Sequence, residues 1–398
     1  MLHSYSFSNF QSFKEKTLVD LTLNHKVTLT DWMEEASTGE RVSKLMAVIG
    51  ANGSGKTSLL KPLAFLSWFM THSFNHHPDA DIPIIPYATT TNNPSTFECH
   101  FDLEEKLYRY ELVCTSKRVL HEALYQKQER FNYVYIRDWD ENTKTYTVKQ
   151  QNFGLDSQAI CKLRPNVSLI AWAAQYGVPM ALRLIKQFII SNINVDGRIQ
   201  MGLPAVILAA DYFSTNSKQR EKMSHLLSSW DLGLTSVELV EIKEFQSAQI
   251  DNQIDNKKKW MPFGKHKNHD KEFKLPFHHE STGTQSAFVL LARLFFALEI
   301  GGVAVIDELE SDIHPHMLEP ILGLFADRST NPHKAQLLFT CHSVEVLNLI
   351  HKSQVMLVEK DDHCESKAIR MDDITGIRND DNLYAKYMAG AYGAVPKF

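Results

Sequence analysis

The apolar and polar positions of this chain change period several times, and the changes outline its elements. Residues Leu2 to Leu23 alternate around Asn9-Phe10-Gln11-Ser12-Phe13, with Phe7, Phe10 and Phe13 as bulky apolar positions. Val19, Leu21 and Leu23 restart the period of two, which predicts a β-hairpin or two successive strands. Asp31 to Glu40 is polar and predicts a loop or short helix. Leu45-Met46-Ala47-Val48-Ile49 is an unbroken apolar run, as a buried strand requires, and a helix that continues through Phe65 and Trp68 is expected from Ser58 onward. His72 to Pro94, rich in His, Pro, Asn and Thr, reads as a loop. Alternation then returns in Thr96–Asp102, Tyr108–Thr115, Val119–Tyr125, Phe131–Asp138 and Lys144–Val148, an antiparallel meander ending near Gln150.

The pattern becomes helical near Gln158. Leu163, Leu169, Ile170, Trp172, Leu184 and Phe188 recur at helical spacings, and Met223, Leu226, Leu227 and Trp230 mark another helix within Ser217–Leu232. Val237 to Phe245 reads as a strand, and Asp251 to Lys274 as a polar, solvated loop. Its Lys257-Lys258-Lys259 run and Lys265-His266-Lys267 offer, as the alternative, a contact for nucleic acid or an acidic partner. Ser286–Glu299 predicts a helix, while Gly302–Glu308, Leu337–Ser343 and Gln354–Val358 predict buried strands. The expected fold class is α/β. The expected division is an N-terminal lobe over 1–155, a helical insert over 156–232 and a C-terminal lobe over 233–398.

Composition narrows the setting. The 398 residues are 43% hydrophobic and 22% charged with a net charge of −5, a globular balance that disfavours bulk electrostatic binding of nucleic acid. Five scattered cysteines without a C-x-x-C pair point to a reduced, cytosolic protein rather than a zinc site. The N-terminus lacks a signal-peptide pattern, and Arg293 and Glu299 interrupt the longest apolar stretch, Ala287–Ile300, so no membrane is expected. His76-His77 and His278-His279 are adjacent pairs in apparent loops, which is poor metal-ligand spacing.

The chemistry concentrates at Gly50-Ala51-Asn52-Gly53-Ser54-Gly55-Lys56-Thr57, followed by Ser58. This fits the G-x-x-x-x-G-K-[ST] phosphate-binding loop, and the predicted strand before it and helix after it supply the required context. Glycines let successive N–H groups converge on one anion, and the helix dipole adds to their field. Lys56 would reach the β- and γ-phosphates, and the Thr57 hydroxyl would ligate Mg²⁺. Asp307 and Glu308, delivered at the end of an apolar strand, would hold Mg²⁺ and polarise the attacking water respectively. Ser281 and Gly283, at the start of the Ser286–Glu299 helical run, make a second anion site. His342 ends the Leu337–Ser343 strand, where it would contact a γ-phosphate.

Together these residues resemble the ATPase heads of the ABC/SMC/Rad50/OLD superfamily. Within it the chain looks like the compact bacterial AAA15-type ATP-binding proteins, which include RloA- and AbiL-type ATPases of phage-defence operons. The matching features are Phe7–Phe13, Gly50–Thr57, Glu280–Thr284, Asp307-Glu308-Leu309-Glu310 with His314-Pro315, and the ending Tyr387–Pro396. The resemblance implies a P-loop ATPase head with an N-terminal antiparallel meander and an inserted helical subdomain. It makes Ser281 and Gly283 the signature motif, which contacts ATP held by the opposite subunit, Ser311-Asp312 the loop crossing the dimer interface, and His342 the switch histidine. Implied cofactors are ATP and Mg²⁺, and implied partners are a second copy, or a higher homo-oligomer, and a separately encoded effector.

Gln11 departs from the Arg common in relatives, and no equivalent of the family's Mg²⁺-binding glutamine is identified, its approximate place being Asp81–Tyr87. A nuclease of the OLD kind is the competing class. Fewer than one hundred residues follow Asp307, however, and Glu359, Asp361 and Asp362 read as a charged turn. An ABC transporter subunit and a DNA-repair head are further alternatives. The first is disfavoured by the meander and the C-terminal ending, the second by the lack of long arms.

Overall fold

The computed structural model describes the chain except for residues 26, 198–201, 231, 243–257, 312, 379–380 and 396–398. Lys257, Asp312 and Pro396 therefore lie outside the described residues, as does the end of the expected Val237–Phe245 strand. The chain divides into two units. The first comprises Met1–Gly197, Ala297–Leu309 and Ile321–Phe398, and the second Arg198–Phe296 and Glu310–Pro320.

The first unit is built on two large sheets. A six-stranded sheet runs in the order Ile190–Ile193, Val303–Ile306, Gln336–Thr340, Leu45–Ile49, Val355–Lys360, Ser366–Arg370. The first five strands are parallel and the last is antiparallel. Leu45–Ile49 is buried at every position, as its unbroken apolar run requires, and lies centrally between Gln336–Thr340 and Val355–Lys360. Loops leaving the C-terminal ends of such strands converge on one crevice, which is where ligands bind in parallel sheets.

The seven-stranded antiparallel sheet is the expected meander, extended by the N-terminal strands. Its order is Thr145–Gln150, Phe131–Asp140, Val119–Lys127, Lys106–Cys114, Ser95–Leu103, Leu2–Ser8, Thr17–Asp20. The helix Lys56–His72 packs against it through an aromatic cluster. Phe10 and Phe65 both meet Phe97, with ring centroids 5.4 and 4.9 Å apart, and Phe7 meets Phe13 edge-on at 5.3 Å. Each such buried ring contributes about 1.5–3 kcal/mol. Tyr5 Oη adds a hydrogen bond to the Leu59 carbonyl at 2.8 Å, tying the N-terminal strand directly to the phosphate-loop helix.

Several elements differ from the sequence expectation. Asp31–Glu40 contains the short strand Met33–Glu35, paired with Arg41–Ser43 in a three-stranded sheet. The polar stretch 251–274 is, from Lys259, a hairpin of Lys259–Asn268 and Lys271–Pro276. A two-residue turn closes it, with His269 in the left-handed region. The cations of this hairpin misled because solvated residues read as a loop. They are in fact exposed or partly exposed and also paired along the strand faces: Lys265 and Lys274 both meet Glu238, at 3.0 and 2.7 Å, and Lys258, just before the hairpin, meets Glu241 at 3.1 Å, against the Ser236–Ile242 strand.

The units also follow boundaries other than those expected. Helices Ser157–Cys161, Leu169–Gln175 and Pro179–Gln187 belong to the first unit, where Leu169, Ile170, Trp172 and Leu184 join the main core. They are tied down by Glu122, whose buried carboxylate accepts hydrogen bonds from Tyr110 Oη, Ser168 Oγ and the Leu169 amide. Arg137, fully buried 3.3 Å from Glu122, donates to the carbonyls of Val167 and Arg164. Hydrophobic spacing reports a helix but not which core receives it, so the boundary at 156 was not readable.

The second unit contains helices Leu203–Thr215 and Ser217–Ser229, the three-stranded sheet with the hairpin, and the start of helix Thr282–Ile300. Phe213 and Phe277 close on Phe288 at 5.3 and 4.7 Å. Thr282–Ile300 is long and apolar enough to cross a membrane by composition, but 67% of its apolar window is buried inside the protein, as in a core helix.

Candidate functional site

The loop between Ile49 and Lys56 is shaped by close approaches. A Cβ on Gly50 would stand 2.1 Å from the Val358 carbonyl oxygen, so the neighbouring parallel strand leaves room only for hydrogen. Gly53 and Gly55 have φ of 73° and 110°, and Gly55 would carry a Cβ 2.5 Å from Ser366 Oγ. Lys56 turns back over the loop, and its Nζ donates to the carbonyls of Gly50 and Ala51 at 2.9 and 3.0 Å.

Thr57, one residue into the helix, meets the end of the Val303–Ile306 strand. Its hydroxyl donates to Asp307, 3.0 Å from Oδ1 and 2.8 Å from Oδ2. Thr340, at the end of Gln336–Thr340, completes a chain of contacts. Its hydroxyl donates to Asp307 Oδ1 at 2.7 Å and accepts the Glu308 amide at 2.7 Å. Glu308 is held with φ 53°, a left-handed conformation that costs an ordinary residue about 1–2 kcal/mol. Its carboxylate lies 3.6 Å from His342 Nε2, and both side chains are partly exposed.

These residues surround a cavity of about 650 Å³ lined by Asn52, Gly53, Gly55, Lys56, Thr57, Ser58, Asp307, Glu308 and His342, together with Ser12, Thr340 and Lys360. That volume is in the range of small-molecule sites. Of the loop residues, Gly50, Ala51 and Ser54 do not line it. Gly50 faces a neighbouring cavity with Met388 and Val395, and Ser54 is buried. Sequence reasoning missed Thr340, Ser366 and Lys360 as contributors. The only signal for Thr340 is a hydroxyl ending an otherwise apolar strand.

The donor set suits Mg²⁺. Thr57 and Asp307 offer hard oxygens, already within about 3 Å of each other, and would hold Mg²⁺ together with oxygens of phosphate and water. Among the described residues no group of three or more His, Cys, Asp or Glu forms a metal cluster. Asp361 is instead occupied by the amides of His363 and Glu365 and by Lys367. Gln11 also has φ above zero, with its amide on the Ile85 carbonyl at 2.7 Å, and neither it nor Asp81–Tyr87 lines the cavity.

Ser281 and Gly283 lie in the second unit. Ser281 caps helix Thr282–Ile300, its Oγ accepting the Thr284 amide at 3.1 Å, and Gly283 occupies the first turn. Glu280 before it is anchored in the hairpin, 2.8 Å from His266 Nε2. A Cβ on Gly264 would stand 2.3 Å from the Glu280 carboxylate, so the glycine leaves room for that side chain where it sits.

A parallel sheet whose central strand enters a phosphate loop, with carboxylates delivered by the strand two places away and an antiparallel sheet against the loop's helix, defines a P-loop nucleotide-binding fold. Residues 45–348 match the family described as "AAA domain, putative AbiEii toxin, Type IV TA system", and the chain belongs to that family. Among curated proteins none is significantly similar in sequence. Similar solved structures include an SMC head bound to the C-winged helix domain of ScpA, 13% identical with a TM-score of 0.48, covering 92% of this chain and 96% of that one. The SMC head domain from Thermotoga maritima is 12% identical with a TM-score of 0.42, covering 93% and 98%. An Smc head domain with an extended coiled coil, bound to the C-terminal domain of ScpA derived from Pyrococcus furiosus, is 11% identical with a TM-score of 0.43, covering 92% and 95%.

Proposed function

We propose that this protein hydrolyses ATP with Mg²⁺ as cofactor, and that ATP joins two copies into a dimer whose state controls a separately encoded effector, a nuclease or toxin, in anti-phage defence. The observation that carries the reading is the unbroken set of contacts from Thr57 through Asp307 and Thr340 to Glu308. It links the phosphate loop to the group best placed to activate water. The toxin and TA system in the family's description support an effector role.

In this reading the loop amides of Asn52–Ser58 and the Lys56 ammonium hold the phosphate chain, with the helix N-terminus adding its dipole. Thr57 and Asp307 would hold Mg²⁺, which when bound neutralises charge developing on the transferred phosphoryl group. Glu308 accepts the proton of the attacking water, and its backbone is fixed for that task by Thr340. His342, 3.6 Å from Glu308, contacts the γ-phosphate and keeps the carboxylate facing it. Ser281 and Gly283 of a second copy complete the site from the opposite side. ATP then favours the closed dimer through its higher affinity for that state, and hydrolysis releases it.

The test is Glu308→Gln. It should bind ATP, retain it unhydrolysed and elute as a dimer only with ATP and Mg²⁺, with turnover reduced by about 10²–10⁴-fold, the usual worth of a general base. Wild-type turnover in this variant would refute the assignment of the base. A monomer under all nucleotide conditions would refute the dimer.

A further inference from the structure

Lys360 ends the Val355–Lys360 strand, on the side of the phosphate-loop strand opposite to Gln336–Thr340 and Val303–Ile306. Its ladder partner on the next strand is Ser366. Ser366 is buried, and its hydroxyl donates to the Ser54 carbonyl at 2.6 Å and lies 2.8 Å from Ser12 Oγ. The Ser366 amide also donates to the Ser12 carbonyl at 2.8 Å. The last rung of this hairpin is therefore fastened to the phosphate loop itself, beneath Gly55. Its turn is closed by Asp361, which accepts the amides of His363 and Glu365 at 2.9 and 3.0 Å. The lysine is thus carried on a backbone that the loop and the turn both fix.

Lys360 and Ser12 line the same cavity as Lys56, Asp307, Glu308 and His342. Strand alternation sends the neighbouring Glu359 the other way, toward Gly393, where a Cβ would come 3.2 Å from its carboxylate. Lys367, the nearest cation in sequence, is paired with Asp361 at 3.2 Å. Lys360 makes no ion pair or side-chain hydrogen bond among the described residues. The cavity thus has a carboxylate wall at Asp307 and Glu308 and, across the loop, a wall carrying an ammonium and a hydroxyl. Three strand spacings separate the two, roughly 14 Å at the level of the backbone.

We propose that Lys360, assisted by Ser12, binds the nucleotide's phosphate chain at the end away from Glu308, as a second cationic contact that the loop motif does not contain. This rests on reading the cavity as an ATP site. Water attack must occur at Glu308, so the γ-phosphate lies there and the α-phosphate and ribose extend toward Lys360. An ammonium with three rotatable donors suits phosphate oxygens, and Ser12 Oγ lies within reach of the same group. ADP keeps the contact, because the phosphate lost in hydrolysis leaves from the other end.

The experiment measures ATP and ADP affinity by calorimetry, and kcat and KM for ATP, in wild type, Lys360→Ala and Lys360→Arg. Lys360→Ala should weaken ATP and ADP alike, by about tenfold or more, as expected for one lost charge-assisted hydrogen bond. KM should rise in step, kcat at saturating ATP should change far less, and Lys360→Arg should restore most of the affinity. Unchanged affinity for both nucleotides in Lys360→Ala would overturn the assignment. Selective loss of ATP with ADP untouched, or a fall in kcat at constant KM, would place the lysine at the γ-phosphate and overturn it as well. A wild-type protein that binds neither nucleotide would overturn the ATP reading of the cavity, and this assignment with it.

Discussion

Replacing Thr340 with valine isolates the contribution of a single hydroxyl to the site. The side chain is buried, and valine keeps its shape while removing two hydrogen bonds of 2.7 Å, one to Asp307 and one from the Glu308 amide. An amide left without its acceptor costs about 1–3 kcal/mol. The loss falls on a residue already held at φ 53°, so relaxation of the Glu308 backbone toward an ordinary conformation recovers about 1–2 kcal/mol of that strain. The lost bond to the Asp307 carboxylate adds about 1.5–3 kcal/mol, so the net destabilisation is about 2–3 kcal/mol. The price is displacement of the carboxylate, and a shift of about 1 Å in a reacting group costs on the order of a hundredfold in rate. Asp307 keeps the Thr57 hydroxyl, so nucleotide affinity should be largely retained. Thr340→Val should accordingly melt within a few degrees of wild type, bind ATP, and lose about 10–100-fold in kcat. Thr340→Ser should recover most of the loss. Steady-state ATPase assays with parallel thermal melts decide the matter. Wild-type kcat in Thr340→Val, or a serine variant as slow as the valine, would refute the argument that Thr340 positions Glu308.

Other consequences follow from the same contacts. Gly50→Ala forces a Cβ to 2.1 Å from the Val358 carbonyl, so the two central strands must part. A loss of about 1–3 kcal/mol or more, with loss of nucleotide binding, should appear in melts and calorimetry. Glu122→Ala leaves Arg137 buried without its carboxylate and frees the cap at Ser168, and should cost about 3–5 kcal/mol in denaturant unfolding, with Glu122→Gln less damaging. His121 has its pKa raised to about 8 by the Glu111 carboxylate 3.6 Å from Nε2 and then by its hydrogen bond to Asp138 at 2.7 Å. Because the folded state favours its protonated form, the stabilisation is fully present below about pH 6.5 and is lost as pH rises through about 8. Melting temperature should decline across that interval, and His121→Asn should flatten the decline.

Sequence was informative where one local signal sufficed. The apolar run Leu45–Ile49, the glycine loop and the alternation of the meander each depend on neighbouring residues, and the structure has the corresponding elements. The hairpin at Lys259–Pro276 was missed because its polar, exposed residues read as a loop rather than a strand. Its lysines look solvated one by one, and only the pairing with Ser236–Ile242 sets them opposite Glu238 and Glu241. The Asn268-His269-Asp270 turn was the available clue. The short parallel strand Ile190–Ile193 was hidden for a similar reason. Four residues carry little period, and its identity comes from lying beside Val303–Ile306.

By itself, then, the sequence determined that a phosphate loop sits between a buried strand and a helix, because strand, turn and helix N-terminus are set by side chains a few residues apart. Tertiary structure alone decided what meets that loop. Asp307 reaches Thr57 across 250 positions of chain, Thr340 reaches Glu308 across 32, and Ser366 reaches the Ser54 carbonyl across 312. Such contacts depend on strand order and register, which no local pattern encodes. Gly50 belongs to both descriptions. Its motif announces a phosphate loop, but the Val358 carbonyl beside it is what excludes every other residue.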